Sequence, residues 1–248
     1  MKTISPGAGA AVNGFRTAVA AIGVGAAALA GLYFTHQTHQ LSRSAQYTER
    51  FSKAMEMLAD KEEARQLGGV YALERIMRDS PYDRPAIIET LAGFIRLTSP
   101  APSEDAQSFI ESKKSPVPES ARAAFYAIAR RAVNPGDPEI DLSRCDLRLL
   151  HCKDANLVGV NFSRSDLRQS FFERGNLRES YFMGARLDHV WFSECDLTGS
   201  KFPEARIGNC MFDDSVLDEA NFAVADDITE DSLTVMKSYA GAIFPWTD

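Results

Sequence analysis

The chain has 248 residues, 45% of them hydrophobic and 25% charged, a composition that places it among ordinary globular proteins and leaves function to be read from pattern. Its net charge of -7 is unevenly spread: residues 1–136 carry 16 basic and 13 acidic side chains, whereas 137–248 carry 11 and 21. A second half at -10 repels polyanions, which excludes nucleic-acid binding by charge attraction.

In chain order, a tail over residues 1–16 precedes an apolar stretch over 17–34 that contains no Lys, Arg, Asp or Glu. Eighteen such residues just span a bilayer, so a membrane helix is expected there. Ala28-Leu29-Ala30 also suits a signal-peptidase site, so a cleaved secretory signal is the competing reading. The anchor is preferred because the apolar run continues through Leu32, Tyr33 and Phe34.

A small α-helical module is expected over 35–97. Three apolar series recur at helical spacing: Tyr47, Phe51, Ala54, Met55, Leu58; Leu67, Val70, Tyr71, Leu73, Ile76, Met77; and Ile87, Ile88, Leu91, Phe94, Ile95. Gly68 and Gly69 mark either a close helix contact or a break, and Ser80-Pro81 and Pro85 mark the turn before the third helix. Residues 98–117, rich in proline and charge, read as an exposed linker. A further helix within 118–136 presents Ala124, Phe125, Ile128 and Ala129 on one stripe, ends at Asn134-Pro135-Gly136, and is placed to cap the C-terminal domain.

From 137 to 226 the period changes to five. Leu142, Leu147, Cys152, Leu157, Phe162 and every fifth residue to Phe222 are large and apolar apart from Cys152, and two positions earlier the residues are mostly small. This period fits neither helix nor alternating strand and requires units that bury themselves against their neighbours. At twenty-residue spacing the central residues sort into columns. Leu142, Phe162, Phe182, Phe202, Phe222 and Cys152, Phe172, Phe192, Phe212 form two aromatic columns; Leu and Ile fill the other two. Seventeen units make about four coils, a rod about 20 Å long at the strand-pairing distance.

These residues, with Asp-Leu, Asn-Leu or Asn-Phe at 141, 146, 156, 161, 166, 176, 196 and 221, resemble the pentapeptide-repeat family. The resemblance implies a right-handed quadrilateral β-helix with the central and small residues pointing inward. The expected fold class is therefore α+β: a transmembrane helix, a helical module and a pentapeptide-repeat solenoid. Residues 227–248 are expected to close it with a capping helix, N-capped by Thr229 and stopped by Gly241, with Phe244, Pro245 and Trp246 tucked under the last coil. The chain from about 15 to 245 also resembles bacterial membrane-anchored pentapeptide-repeat proteins, on the segments 46–51 and 67–76.

No catalytic, cofactor or metal site is read from the sequence. Cys145, Cys195 and Cys210 fill small inward positions and Cys152 a central one, too far apart or on different walls to bridge. Four unpaired buried thiols point to a reducing compartment and so to a cytoplasmic C-terminal domain; with the resemblance above, this implies a bacterial inner-membrane protein. His36 and His39 have no Cys, Asp or Glu at ligand spacing and read as solvated, and His151 and His189 have no adjacent nucleophile. Asp146 with Arg148, Asp166 with Arg168 and Arg186 with Asp188 read as solvated surface pairs.

One outward column departs from the Asp or Asn usual before the central residue: His151, Phe171, Trp191 and Met211 stack there. Either the helical module or the linker folds back over it, or it docks another protein or a second copy. The leading expectation is a membrane-tethered, non-catalytic scaffold for an unknown cytoplasmic protein, with homo-oligomerisation left open. The alternative, from resemblance to quinolone-resistance pentapeptide proteins, is a DNA mimic that binds gyrase; the basic residues interleaved among the acidic ones argue against it.

Overall fold

The computed structural model describes residues 31, 33–35, 47–102, 116–229 and 235–246. The chain divides into two compact units, Met1–Arg50 and Phe51–Asp248. In the first, residues 31, 33–35 and 47–50 are helical. The membrane helix expected over 17–34 otherwise lies outside the described residues, and among the described residues no helix is long and apolar enough to cross a membrane.

In the second unit, residues 51–58 are helical and three helices follow: α1 (Glu63–Asp79), α2 (Arg84–Thr98) and α3 (Glu119–Ala129). The helices bury most of the stripe their periodicity marks: Val70, Leu73, Ile76 and Met77 on α1, Ile87, Ile88, Leu91 and Ile95 on α2, and Ala124, Phe125 and Ile128 on α3; Tyr71, counted in the α1 series, is exposed instead. The paired glycines do not break α1. A Cβ on Gly69 would stand 2.8 Å from the Leu58 nitrogen and 2.9 Å from the Ala54 oxygen, so the glycine lets two backbones meet. Pro118 gives α3 no side-chain cap, and Glu63 of α1 supplies one instead, its carboxylate accepting the Glu119 and Ser120 amides at 2.5 and 3.4 Å.

From Asp141 onward the chain coils with parallel pairing between residues twenty apart, as in Asp141↔Asn161, Asp146↔Asp166 and Asn156↔Asn176. One face is regular strand, β1 (His151–Lys153), β2 (Phe171–Glu173) and β3 (Trp191–Ser193), paired in that order. Every fifth residue from Arg144 to Glu219 has positive φ. Most corners close a β-turn onto the next inward residue, for example Ser165 N to Phe162 O at 3.1 Å and Ala185 N to Phe182 O at 3.0 Å. Only Gly159, Gly184 and Gly199 take this conformation without steric cost; the other corners accept about 1 kcal/mol each because inter-coil hydrogen bonds hold them.

The lumen is filled as the twenty-residue columns predict. Phe182 stacks on Phe202 at 4.8 Å and Phe202 on Phe222 at 4.3 Å, while Phe172, Phe192 and Phe212 stack opposite at 5.3 and 5.5 Å. Edge contacts such as Phe182 to Phe192, at 6.2 Å, tie the two columns together. Such pairs contribute about 0.5–1.5 kcal/mol each beyond burial.

The first coil receives a partner on each face. Arg96 donates to the Asp141 carbonyl, Ser99 exchanges hydrogen bonds with Asp146, the His151 amide donates to the Tyr126 hydroxyl, and the Asn156 amide donates to the Ala129 carbonyl. Phe125 closes the lumen above Phe162, at 6.5 Å between ring centroids. Capping is therefore shared by α2, α3 and the residues after α2, more widely than a single helix provides. Behind this junction Arg84 forks onto Asp137 at 2.7 and 3.0 Å, and Arg131 approaches the same carboxylate at 3.8 Å.

Three expectations are corrected. The 98–117 segment is not simply an exposed linker, because Ser99 and Val117 are buried and Pro100 pairs antiparallel with Cys145, closing the edge of the first coil. The acid–base pairs on the Leu147 face are not all solvated: Asp146, Arg148 and Asp166 are buried, since stacking at twenty residues places Asp146 over Asp166 and each Arg folds back onto the Asp two residues before it. The described part of the expected C-terminal helix, 235–241, is not helical, nor are the residues that follow to 246. Together they form a further partial coil in which Val216 pairs with Ser238 and Asn221 with Ile243, twenty-two residues apart. A two-residue slip brings Phe244 onto Phe222 at 5.4 Å, so the aromatic column itself continues into the cap; Phe244 is buried as anticipated, whereas Pro245 and Trp246, expected to tuck in beside it, are exposed.

Candidate protein-docking face

The strand face gathers all four residues singled out from the sequence. Parallel register sets His151 beside Phe171 and Phe171 beside Trp191, and a further bridge joins Trp191 to Met211. This is one strip, stepping about 4.8 Å per coil. The His151 and Phe171 rings lie 6.3 Å apart, and Phe171 meets Trp191 edge-on at 5.8 Å. The side chains face outward because Cys152, Phe172 and Phe192, one residue later, take the lumen.

Exposure varies along the strip: His151 is exposed although its backbone meets the helices. The Tyr126 hydroxyl contacts the backbone at His151, and burial pushes the Tyr126 phenol upward despite that hydrogen bond. Phe171 is half-buried, whereas Trp191 and Met211 are 50% and 47% exposed. Among the described residues the helical module reaches the strip only at its upper end.

The rim is electrostatically graded. Lys153 binds Glu173 at 3.0 Å and Arg174 binds Asp154 at 2.8 Å, contacts that hold both carboxyls below their usual range. Lower down, Glu194, Asp213 and Asp214 are exposed and have no ion-pair partner among the described residues.

All four cysteines are free and buried, and burial pushes the thiols up, Cys145 and Cys195 to about 12, so they persist as unreactive thiols. His36 and His39 lie outside the described residues, and His189 sits on an exposed corner with φ 58°. Among the described residues no three His, Cys, Asp or Glu groups are placed to hold a metal ion.

Sequence reasoning missed the ion ladder beside Leu147, Leu167 and Leu187. Asp166, fully buried, is held by a fork from Arg168 at 2.9 and 2.7 Å and approached by Arg148 and Arg186, each at 3.7 Å. Arg186 is left with buried Nε and Nη1 groups that have no hydrogen-bond acceptor, and burial draws its guanidinium below its ordinary pKa. The Asp-x-Arg pattern recurring after twenty residues, at 146–148 and 166–168, is the signal that marks this ladder.

The family model described as Pentapeptide repeats (8 copies) matches residues 161–199 and 180–218, so this tract is pentapeptide repeat by sequence as well as by coil geometry. No curated protein matches the chain. Among solved structures, a pentapeptide repeat protein from the Arabidopsis thaliana thylakoid lumen is 25% identical over 39% of this chain and 59% of its own, with a TM-score of 0.30. HetL, a pentapeptide repeat protein involved in heterocyst differentiation regulation from the cyanobacterium Nostoc sp. strain PCC 7120, is 17% identical over 42% of this chain and 48% of its own, with a TM-score of 0.20. QnrB1, a plasmid-mediated fluoroquinolone resistance protein, is 16% identical over 41% of this chain and 65% of its own, with a TM-score of 0.22. This chain thus spans between about half and two thirds of these proteins.

Proposed function

We propose that the chain is a non-catalytic scaffold, tethered to a bacterial inner membrane by residues 17–34, that holds a cytoplasmic protein on its pentapeptide-repeat solenoid. One observation carries the docking role. His151, Phe171, Trp191 and Met211 form a continuous outward strip whose two lower members stay half exposed, an arrangement that hydrophobic cost disfavours on a surface with no partner. Trp and Met at the centre of such a patch are the side chains enriched in interface cores. The tether rests on the apolar 17–34 stretch, and the cytoplasmic orientation on four unpaired buried thiols, which an oxidising compartment disfavours.

Photo-crosslinking residues placed at Trp191 and Met211 in cells test the docking role, with Asn161 on the opposite face as the reference. Adducts to one defined protein from the strip alone, lost on Trp191→Asp in a chain that still folds, are the expected result. Equal labelling from both faces excludes the strip.

DNA mimicry has less support. Basic side chains neutralise acids along the rod, as in Arg168 with Asp166, Arg174 with Asp154 and Arg178 with Asp196, which interrupts any copy of a phosphate ladder. A gyrase supercoiling assay decides this reading: inhibition by the chain at stoichiometric amounts favours it, and no effect removes it.

A further inference from the structure

Charge along the solenoid is strongly polar, and it changes beside the strip. Residues 140–187, the coils next to the helices, carry 8 basic and 6 acidic side chains, whereas residues 188–229 carry 2 basic and 10 acidic, giving +2 and -8. The exposed large apolar members of the strip, Trp191 and Met211, therefore sit in the acidic half. Glu194, Asp213 and Asp214 stand beside it with no ion-pair partner among the described residues, while the upper rim is neutralised internally by Lys153 and Arg174.

This combination selects a partner by its chemistry. Nucleic acid and anionic lipid are repelled by the acidic coils, and a neutral apolar surface leaves three exposed carboxylates beside the contact unmatched. The spacing narrows the choice further. Phe171, Trp191 and Met211 occupy successive coils about 4.8 Å apart, close to the 5.4 Å advance of one α-helical turn, so a helix lying along the rod sets about one apolar side chain on each rung. An extended peptide advances about 6.7 Å between same-face residues and falls out of step by the third rung. We infer that the distal half of the strip receives an amphipathic helix of a partner protein whose apolar stripe is flanked by Lys or Arg facing Glu194, Asp213 and Asp214. The inference rests on the docking role proposed above and adds the partner's fold and charge.

The test uses the full chain in zwitterionic lipid discs and three labelled helical peptides followed by fluorescence anisotropy, with empty discs as background. The first peptide carries Leu at helical spacing with flanking Lys, the second replaces Lys by Glu, and the third replaces Leu by Ser. The first alone is expected to bind. Its affinity should fall about tenfold or more between about 0.05 and 0.5 M salt, and as far in the combined variant Glu194→Gln, Asp213→Asn, Asp214→Asn. Trp191→Asp, and independently Met211→Asp, should abolish binding while leaving the thermal midpoint in place. If salt and the charge-neutralised variant leave affinity unchanged but Trp191→Asp abolishes it, the strip remains a docking face and the basic-helix assignment fails. If neither Trp191→Asp nor Met211→Asp weakens binding, the docking role itself fails. Light scattering that shows Trp191→Asp splitting a dimer identifies the occupant as a second copy and also overturns the assignment.

Discussion

Ser165, Ser170, Ser180, Ser200 and Ser215 occupy inward positions whose sequence requirement looks like small volume, yet each hydroxyl bonds the carbonyl of the central residue twenty-three positions earlier. Ser165 also accepts the Cys145 amide at 3.0 Å while donating to the Leu142 carbonyl at 2.6 Å. Alanine fits the space but strands both backbone groups inside the lumen wall. Ser165→Ala is therefore expected to destabilise the fold by about 1–3 kcal/mol. Ser165→Cys should recover part of this, because Cys195 already bonds the Phe172 carbonyl at 3.3 Å in the equivalent role. Urea unfolding of the two variants checks this; equal stability of Ser165→Ala and the parent chain removes the hydroxyl's role. The five-residue period tells which side chains turn inward, but not that an inward serine answers a backbone carbonyl in the preceding coil.

At the scale of elements, the join between helices and coils depends on a few polar groups. Arg84 near the start of α2 and Arg131 after α3 share Asp137, in the turn that leads into the first coil. Burial would raise the Asp137 carboxyl, but hydrogen bonds from Arg84 and the Asn134 amide and the charges of both arginines hold it below its ordinary 3.8. Burial lowers the Arg131 guanidinium to about 10, which keeps it charged at neutral pH. Asp137→Asn leaves two buried cations without their anion and is expected to cost about 3–5 kcal/mol at pH 7. Because the folded-state pKa is depressed, this stabilisation is complete above 3.8 and is lost as pH falls through the lower folded value. The stability gap between parent and variant should accordingly narrow below about pH 4, as measured by denaturant titration across pH. A gap independent of pH contradicts the ion pair as its source. The helices were legible from their apolar periodicity, as were the aromatic columns and the four residues of the outward strip. Asp137 was not, since an Asp after a Pro-Gly turn carries no mark of two arginines arriving from elements distant in sequence.

At the scale of the whole molecule, the solenoid is closed at both ends by different means. The helical module supplies polar partners to each face of the first coil, and the last turns are covered by a partial coil after a two-residue slip. Deleting residues from 230 onward removes the hydrogen bonds from Leu217, Glu219 and Phe222 to Ser238, Ala240 and Ile243, and uncovers Phe222 where Phe244 stacks. The truncated chain is expected to lose several kcal/mol, counting about 1.5–3 for the buried Phe244 ring alone, and to bind a hydrophobic dye that the parent excludes. Unchanged stability and dye binding would show that this segment is not a cap. By itself the sequence determined the repeat, the inward columns, the coil height and the outward strip, because a solenoid residue meets mainly its neighbours at five and twenty positions and that spacing is written along the chain. Only the tertiary structure decided which charges are buried, how the helices close the first coil and how the last coil slips by two, because each of these depends on partners brought together across irregular sequence distances that no local period records.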